Sequence, residues 1–146
     1  MDELDNEIVR ILQRNGRASN AGVARDVGVS EGTVRRRLKR LVQGEFIQVV
    51  ALPDPTKMGE DSQALIGVQV DPDKIDQVAD DLAKLEEVSW VSVTTGSRDI
   101  YAWATLPSAK VLGIFLRTKV GTIPGVRHTE TFVNLAIRKK GYGIVV

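Results

Sequence analysis

The chain contains no cysteine. Disulfides, thiolate catalysis and cysteine-held metal sites are therefore excluded. His128 is the only histidine, and it sits between Arg127 and Thr129 with no carboxylate or cysteine beside it. A lone histidine of this kind is more often structural than a ligand or a base. No glycine-rich phosphate loop, nucleophile elbow or zinc-ligand spacing occurs. Nothing calls for a cofactor or a metal, and no enzyme class is indicated. Apolar runs stay well short of the roughly 20 residues that a bilayer-spanning helix needs. The first residues, Met1-Asp2-Glu3-Leu4-Asp5, are acidic and lack the basic and apolar regions of a signal peptide. A cytoplasmic protein is expected.

Strong net charge is also missing: the formal value is +1 over 146 residues. The distribution is more informative than the sum. Residues 35–40 read Arg-Arg-Arg-Leu-Lys-Arg, while acids gather at residues 2–7 and 71–87. One local positive patch is hidden in the average.

Helical periodicity marks three short helices within residues 4–43. Leu4, Ile8, Ile11 and Leu12 form the stripe of the first, with Asp2 or Asp5 as its cap, and Asn15-Gly16 ends it. Ser19 caps a second, which carries Val23, Ala24 and Val27 and stops at Gly28. Ser30 caps a third, with Val34, Leu38 and Leu41 inward and Gly44 at its end. Residues 46–50, Phe-Ile-Gln-Val-Val, read as a strand leaving this unit. Pro53, Pro55 and Gly59 place a linker at residues 51–61. The first domain is thus residues 1–50 and the second residues 62–146.

The second domain contains a repeat of strand, helix and strand. Residues 64–70 and 88–95 are the strands of the first copy. Its helix begins at Pro72 and has a stripe of Ile75, Val78, Leu82 and Leu85. Residues 99–106 and 126–136 are the strands of the second copy, with a helix from Pro107-Ser108 to about Val120 between them. Two such copies predict an α+β class, βαββαβ, in a ferredoxin-like arrangement: four antiparallel strands with both helices on one face. Alternation puts Ile100, Ala102, Ala104 and Leu106 on one face and Tyr101, Trp103 and Thr105 on the other. Small and aliphatic residues suit the helix side. Tyr101 and Trp103, joined by Trp90, then lie on an open face that a partner should cover. The reverse assignment, with the aromatics in the core, stays open at this point.

Residues 20–39 fit a helix-turn-helix. Gly28 stands where the backbone must reverse, and Ala24 is small enough for the two helices to cross closely. The side of the third helix opposite Val34, Leu38 and Leu41 displays Gly32, Thr33, Arg36, Lys39 and Arg40 behind the cap Ser30. A recognition helix buries one stripe and offers its early exposed residues to major-groove base edges. Arg36 suits a guanine edge and Thr33 a thymine methyl or a phosphate. Arg35, Arg37, Lys39 and Arg40 suit phosphates, and Arg17, before the second helix, adds another. Charge runs are usually solvated faces; this one coincides with the outward side of a helix-turn-helix.

The order of these pieces resembles the Lrp/AsnC family of feast/famine regulators over nearly the whole chain. The resemblance is carried by residues 4–12 (Leu-Asp-Asn-Glu-Ile-Val-Arg-Ile-Leu), Gly16-Arg17-Ala18-Ser19 and Val29-Ser30. Residues 34–41 (Val-Arg-Arg-Arg-Leu-Lys-Arg-Leu), Gly44-Glu45-Phe46-Ile47, Asp54-Pro55 and Gly59 complete it. It implies a winged helix-turn-helix followed by the family's RAM domain, an assembly of dimers into tetramers or octamers, and sensing of amino acids. It further implies an effector site at a Gly-x-x-Asp turn, which here is Gly96-Ser97-Arg98-Asp99. Glycine would open the backbone and the Asp99 carboxylate would take a ligand ammonium. An ordinary hairpin turn explains the same residues equally well, and Arg98 leaves the preferred ligand open. Two other classes compete with an effector-controlled regulator. One is an architectural protein that binds DNA without a ligand. The other is an enzyme resembling siroheme decarboxylases of the same fold, for which one histidine is thin support.

Overall fold

A computed structural model describes residues 1–139, 141, 143 and 144. The chain divides into two compact units. One comprises Met1–Leu52 with the described residues beyond 140; the other is Pro53–Lys139.

The N-terminal unit is built from α1 (Glu3–Arg14), α2 (Asn20–Val27) and α3 (Glu31–Gln43). Each starts on the side-chain cap its sequence offers. Asp2 and Asp5 form a reciprocal capping box on α1: the Asp2 carboxylate accepts from the Asp5 N–H, and the Asp5 carboxylate accepts from the Asp2 N–H. Ser19 accepts from Gly22 N–H, and Ser30 from Thr33 N–H. Gly28 ends α2 at φ 73°, the left-handed geometry that side chains with a Cβ resist. Ile8, Val23, Ala24 and Val34 form the core, with Leu4, Ile11, Leu12, Ala18, Val27 and Val29 packed around it. Leu41 is buried and Leu38 half-buried.

The strand expected at residues 46–50 does not form. Phe46 and Ile47 instead donate their N–H groups to the Leu41 carbonyl at the end of α3. A strand exists only with a ladder partner for its backbone groups, and none of the described residues pairs with this segment. Among the described residues, the segment 46–50 therefore has no partner strand in a wing.

In the second unit, a short 3-10 turn, Pro55–Met58, capped by Asp54, precedes β1 (Ser62–Val70). Then follow α4 (Ile75–Ala83), β2 (Val88–Val93), β3 (Ile100–Leu106), α5 (Ala109–Phe115) and β4 (Val126–Val133). The sheet order is β2-β3-β1-β4, antiparallel throughout. Several boundaries differ from expectation by one or two residues, and three larger differences have a local cause. Helix α4 begins at Ile75 rather than Pro72, because Lys74 N–H bonds back to the Asp71 carbonyl and closes a turn first. The α-helical part of α5 stops at Phe115, and Leu116–Val120 continue in wider π geometry closed by the Gly121 N–H on the Leu116 carbonyl. Strand β4 ends at Val133 rather than Ala136, where its ladder with β1 runs out near Gln63.

One sheet face is dry. Ala64, Ile66, Val68 and Val70 of β1 lie beside Ile100, Ala104 and Leu106 of β3, under Val78 and Leu82 of α4 and Leu112 and Phe115 of α5. The other face carries no helix. There Trp103 stands opposite Trp90 and Leu65, Tyr101 opposite Ser92 and Gly67, and Leu65 opposite Phe132. Trp90 is 51% exposed and Phe132 48%. The aromatics therefore lie on the open face, as alternation in β3 predicts.

Candidate nucleic-acid interface and effector turn

Helix α3 presents two distinct sets of cations. Arg36 and Lys39 are exposed, and among the described residues neither has an ion-pair partner. Ser30, Gly32 and part of Thr33 are open at the helix N-terminus, where the two hydroxyls lie 2.9 Å apart. Arg17, in the turn before α2, is exposed as well.

The remaining cations are engaged within the fold. Arg35 pairs with Glu31 one helical turn earlier at 2.7 Å. Arg37 bonds Asp2 at 2.6 Å and Asp5 at 2.9 Å, and Arg40 bonds Asp5 at 2.5 Å. Asp5 is completely buried, and both of its oxygens are occupied. The expectation that Arg37 and Arg40 stand ready for phosphates is altered by this pairing. Arg37 falls three residues after Val34 and four before Leu41, on the inward stripe, so it turns toward α1.

The electrostatics follow from the contacts. The Arg37 guanidinium, together with the Asp5 N–H, holds the Asp2 carboxyl down at about 2. Burial pushes Asp5 up, but the Asp2 N–H, the Arg37 hydrogen bond and the Arg40 charge outweigh it and leave it lowered. Arg37 is raised by its bonds to the same two acids. Sequence reasoning treated Asp2 and Asp5 as caps only and did not anticipate these pairs or the role of Glu31.

In the second unit, the turn Gly96-Ser97-Arg98-Asp99 joins β2 to β3. Gly96 has φ +110°, which a residue with a side chain resists, and Ser97 is exposed. The half-buried Asp99 accepts the Val70 N–H on Oδ2 at 2.8 Å, and its own N–H donates to the Val68 carbonyl. Its carbonyl accepts from Thr94 N–H, and the Thr94 hydroxyl donates to the Arg98 carbonyl. Arg98 leans across the open sheet face above Gly67 to reach Glu130 at 2.7 Å. A Cβ on Gly67 would stand 3.0 Å from both the Arg98 Cγ and Tyr101 Cε1, so the absence of a side chain there makes room for the arginine. His128 lies on the same face, opposite Gln69, and is exposed. Among the described residues no group of three or more His, Asp or Glu could hold a metal ion. Among the described residues no helix is long and apolar enough to cross a membrane.

Comparison with known proteins agrees with both units. The profile of the AsnC-type helix-turn-helix domain matches residues 1–42, and that of the Lrp/AsnC ligand binding domain matches residues 63–144. An HTH-type transcriptional regulator of Pyrococcus furiosus is 40% identical over 146 residues, covering 99% of both chains. The HTH-type transcriptional regulator FL11 of Pyrococcus abyssi is 33% identical over 141 residues, covering 96% of this chain and 93% of FL11. Among solved structures, AsnC of E. coli superposes with a TM-score of 0.90 at 27% identity, covering 97% of each chain. A transcriptional regulator of Neisseria meningitidis, solved as its L-Met complex, superposes at 0.89 with 26% identity, covering 96% of this chain and 93% of the other. With a capped helix-turn-helix, an antiparallel sheet in the order β2-β3-β1-β4 and these matches along its length, the chain belongs to the Lrp/AsnC family of HTH-type transcriptional regulators.

Proposed function

We propose that this regulator reads double-stranded DNA with the outward side of α3, and that a small amino acid or related metabolite modulates it. The carrying observation is the division of α3 into a buried stripe of Val34 and Leu41 and an exposed side of Ser30, Gly32, Arg36 and Lys39. That is the arrangement a recognition helix requires. Arg36 reads a base edge, Ser30 and Thr33 contact the backbone or a thymine methyl, and Lys39 and Arg17 neutralise phosphates. Residues 1–50 carry DNA binding, 51–61 link, and 62–146 bind effector and assemble the protein. It acts in the cytoplasm and catalyses no reaction.

Two copies stack open face on open face around Trp90, Tyr101 and Trp103. The exposed apolar residues of this face support that reading, and Val111 and Ile114, exposed on α5, support further association of dimers. The effector lies at the turn from Gly96 to Asp99. The match to a ligand binding domain and the L-Met complex of the Neisseria regulator support an amino acid as its class. A thermal-shift screen against the twenty amino acids tests it, since a ligand that binds only the folded state raises the melting point. A shift with one or a few amino acids supports the reading. No shift with any of them favours a DNA-binding protein without an effector.

A further inference from the structure

We infer that Asp2, Asp5 and Glu31 are specificity-determining residues of the DNA interface, because they withhold three of its five clustered cations from phosphate. The inference rests on the DNA reading above. Phosphate contacts are sequence-blind: each cation that neutralises a phosphate strengthens binding to every duplex alike. A recognition helix with five unopposed cations would hold random DNA tightly and discriminate poorly. Here Arg37 and Arg40 face Asp2 and Asp5 in a cluster of two positive and two negative charges, and Arg35 faces Glu31. Three of the five positive charges are thus compensated, and among the described residues Arg36 and Lys39 have no ion-pair partner.

The two kinds of pair differ in strength. Asp5 is 0% exposed and its oxygens already hold Arg37, Arg40 and the Asp2 N–H. Moving either arginine onto a phosphate would strip a partner from a buried anion, which is strongly unfavourable. Asp5 therefore acts through Arg37 and Arg40 and touches no DNA; it is a positioning residue. The Arg35–Glu31 pair is exposed, with side chains 67% and 49% accessible, and is correspondingly weak. It withholds charge by local neutralisation rather than by locking the arginine in place.

The test is the salt dependence of binding by the full chain to a fluorescent duplex of random sequence, read by anisotropy. Each lost phosphate contact lowers the slope of log K against log salt by about 0.9. Lys39→Gln is expected to flatten the slope by about that amount, and Arg37→Gln and Arg40→Gln by much less. Asp2→Asn keeps the N-cap, since Asn caps as well as Asp, and Glu31→Gln alters only an exposed residue, so both variants stay folded. Each uncovers one positive charge, because without the Asp2 carboxylate Asp5 alone balances only one of Arg37 and Arg40 and Arg37 keeps only its Asp5 bond; both are expected to steepen the slope and tighten binding to random DNA. A merely structural role for the acids would move the melting point and leave the slope alone. Arg37→Gln and Arg40→Gln flattening the slope as much as Lys39→Gln, or no steepening in Asp2→Asn and Glu31→Gln, overturns the inference while leaving the DNA reading intact. A wild-type chain with no affinity for any duplex overturns the DNA reading itself, and this inference with it.

Discussion

Asp99 is hydrogen-bonded to the backbone of Val70: its Oδ2 accepts the Val70 N–H at 2.8 Å, tying the turn before β3 to the end of β1. The carboxylate proposed to receive an effector ammonium is therefore also a structural acceptor. The two roles are separable by substitution. Asp99→Asn keeps an oxygen for the Val70 N–H and removes the charge. Asp99→Ala removes both, leaving a part-buried N–H without its partner at a cost of roughly 1–3 kcal/mol. Asp99→Asn is expected to melt near the wild type and to lose the calorimetric heat of effector binding. Asp99→Ala is expected to lose that heat and melt several degrees lower. Equal effector affinity in Asp99→Asn and the wild type would show that Asp99 is a turn residue only.

Assembly is tested on Trp90, which is half-exposed and paired across β2 and β3 with Trp103. A glutamate there would be desolvated without a partner if two sheet faces stack. Trp90→Glu is expected to turn a dimer or larger assembly into a monomer at micromolar concentration. The fold should survive, because Trp90 lies outside the buried core. Light scattering reads the result. A wild-type monomer under the same conditions would remove the stacked-sheet dimer from the account.

Acid should weaken the N-terminal unit at a defined place. The folded-state carboxyls of Asp2 and Asp5 lie below the ordinary value of 3.8, Asp2 at about 2. A depressed carboxyl contributes stability that is fully present above its unfolded value and is lost as pH falls toward its folded one. The helical signal of the N-terminal unit is expected to lose stability from near pH 4 down to near pH 2, through protonation of the acids that hold Arg37 and Arg40. In Asp2→Asn the same titration is expected to be shallower. Melting temperatures from circular dichroism across pH 2–6 check this.

Much of the fold was legible where its cause lies in a cap or in strict strand alternation. Ser19, Gly28 and Ser30 mark helix ends because a cap acts within three residues of itself. The faces of β3 were legible because strand alternation is strict, and Ile100, Ala102, Ala104 and Leu106 fall on the buried side together. Residues 46–50 misled because strand propensity does not supply a partner strand. The end of α5 at Phe115 depends on the wider turn closed by Gly121, which apolar periodicity does not report.

The ion-pair cluster was half-legible. Asp5 precedes Ile8 by three residues and Val9 by four, so it lies on the apolar stripe of α1, where a carboxylate needs a partner. Arg37 lies on the inward stripe of α3 in the same way. Read together, the two positions predict a bond. What the sequence withholds is that α1 and α3 face each other there, across a separation of 32 residues. The Gly96 to Asp99 turn is proposed as the effector site on family resemblance, while the crossing of Arg98 over Gly67 depends on which strands neighbour β1.

The central claim is that α3 reads base sequence and that Arg36 is a reading residue. Selection of duplexes from a random pool by the wild-type chain and by Arg36→Ala, followed by anisotropy titration on the selected sequence, tests it most directly. The wild type is expected to enrich one motif of two related half-sites, as a two-fold dimer requires. Arg36→Ala is expected to lose preference at one position of each half-site, with discrimination there falling by about 1–3 kcal/mol. It should retain most of its affinity for random DNA. Enrichment of the same motif, with unchanged discrimination at every position, would contradict the account and place the recognition surface elsewhere on the helix.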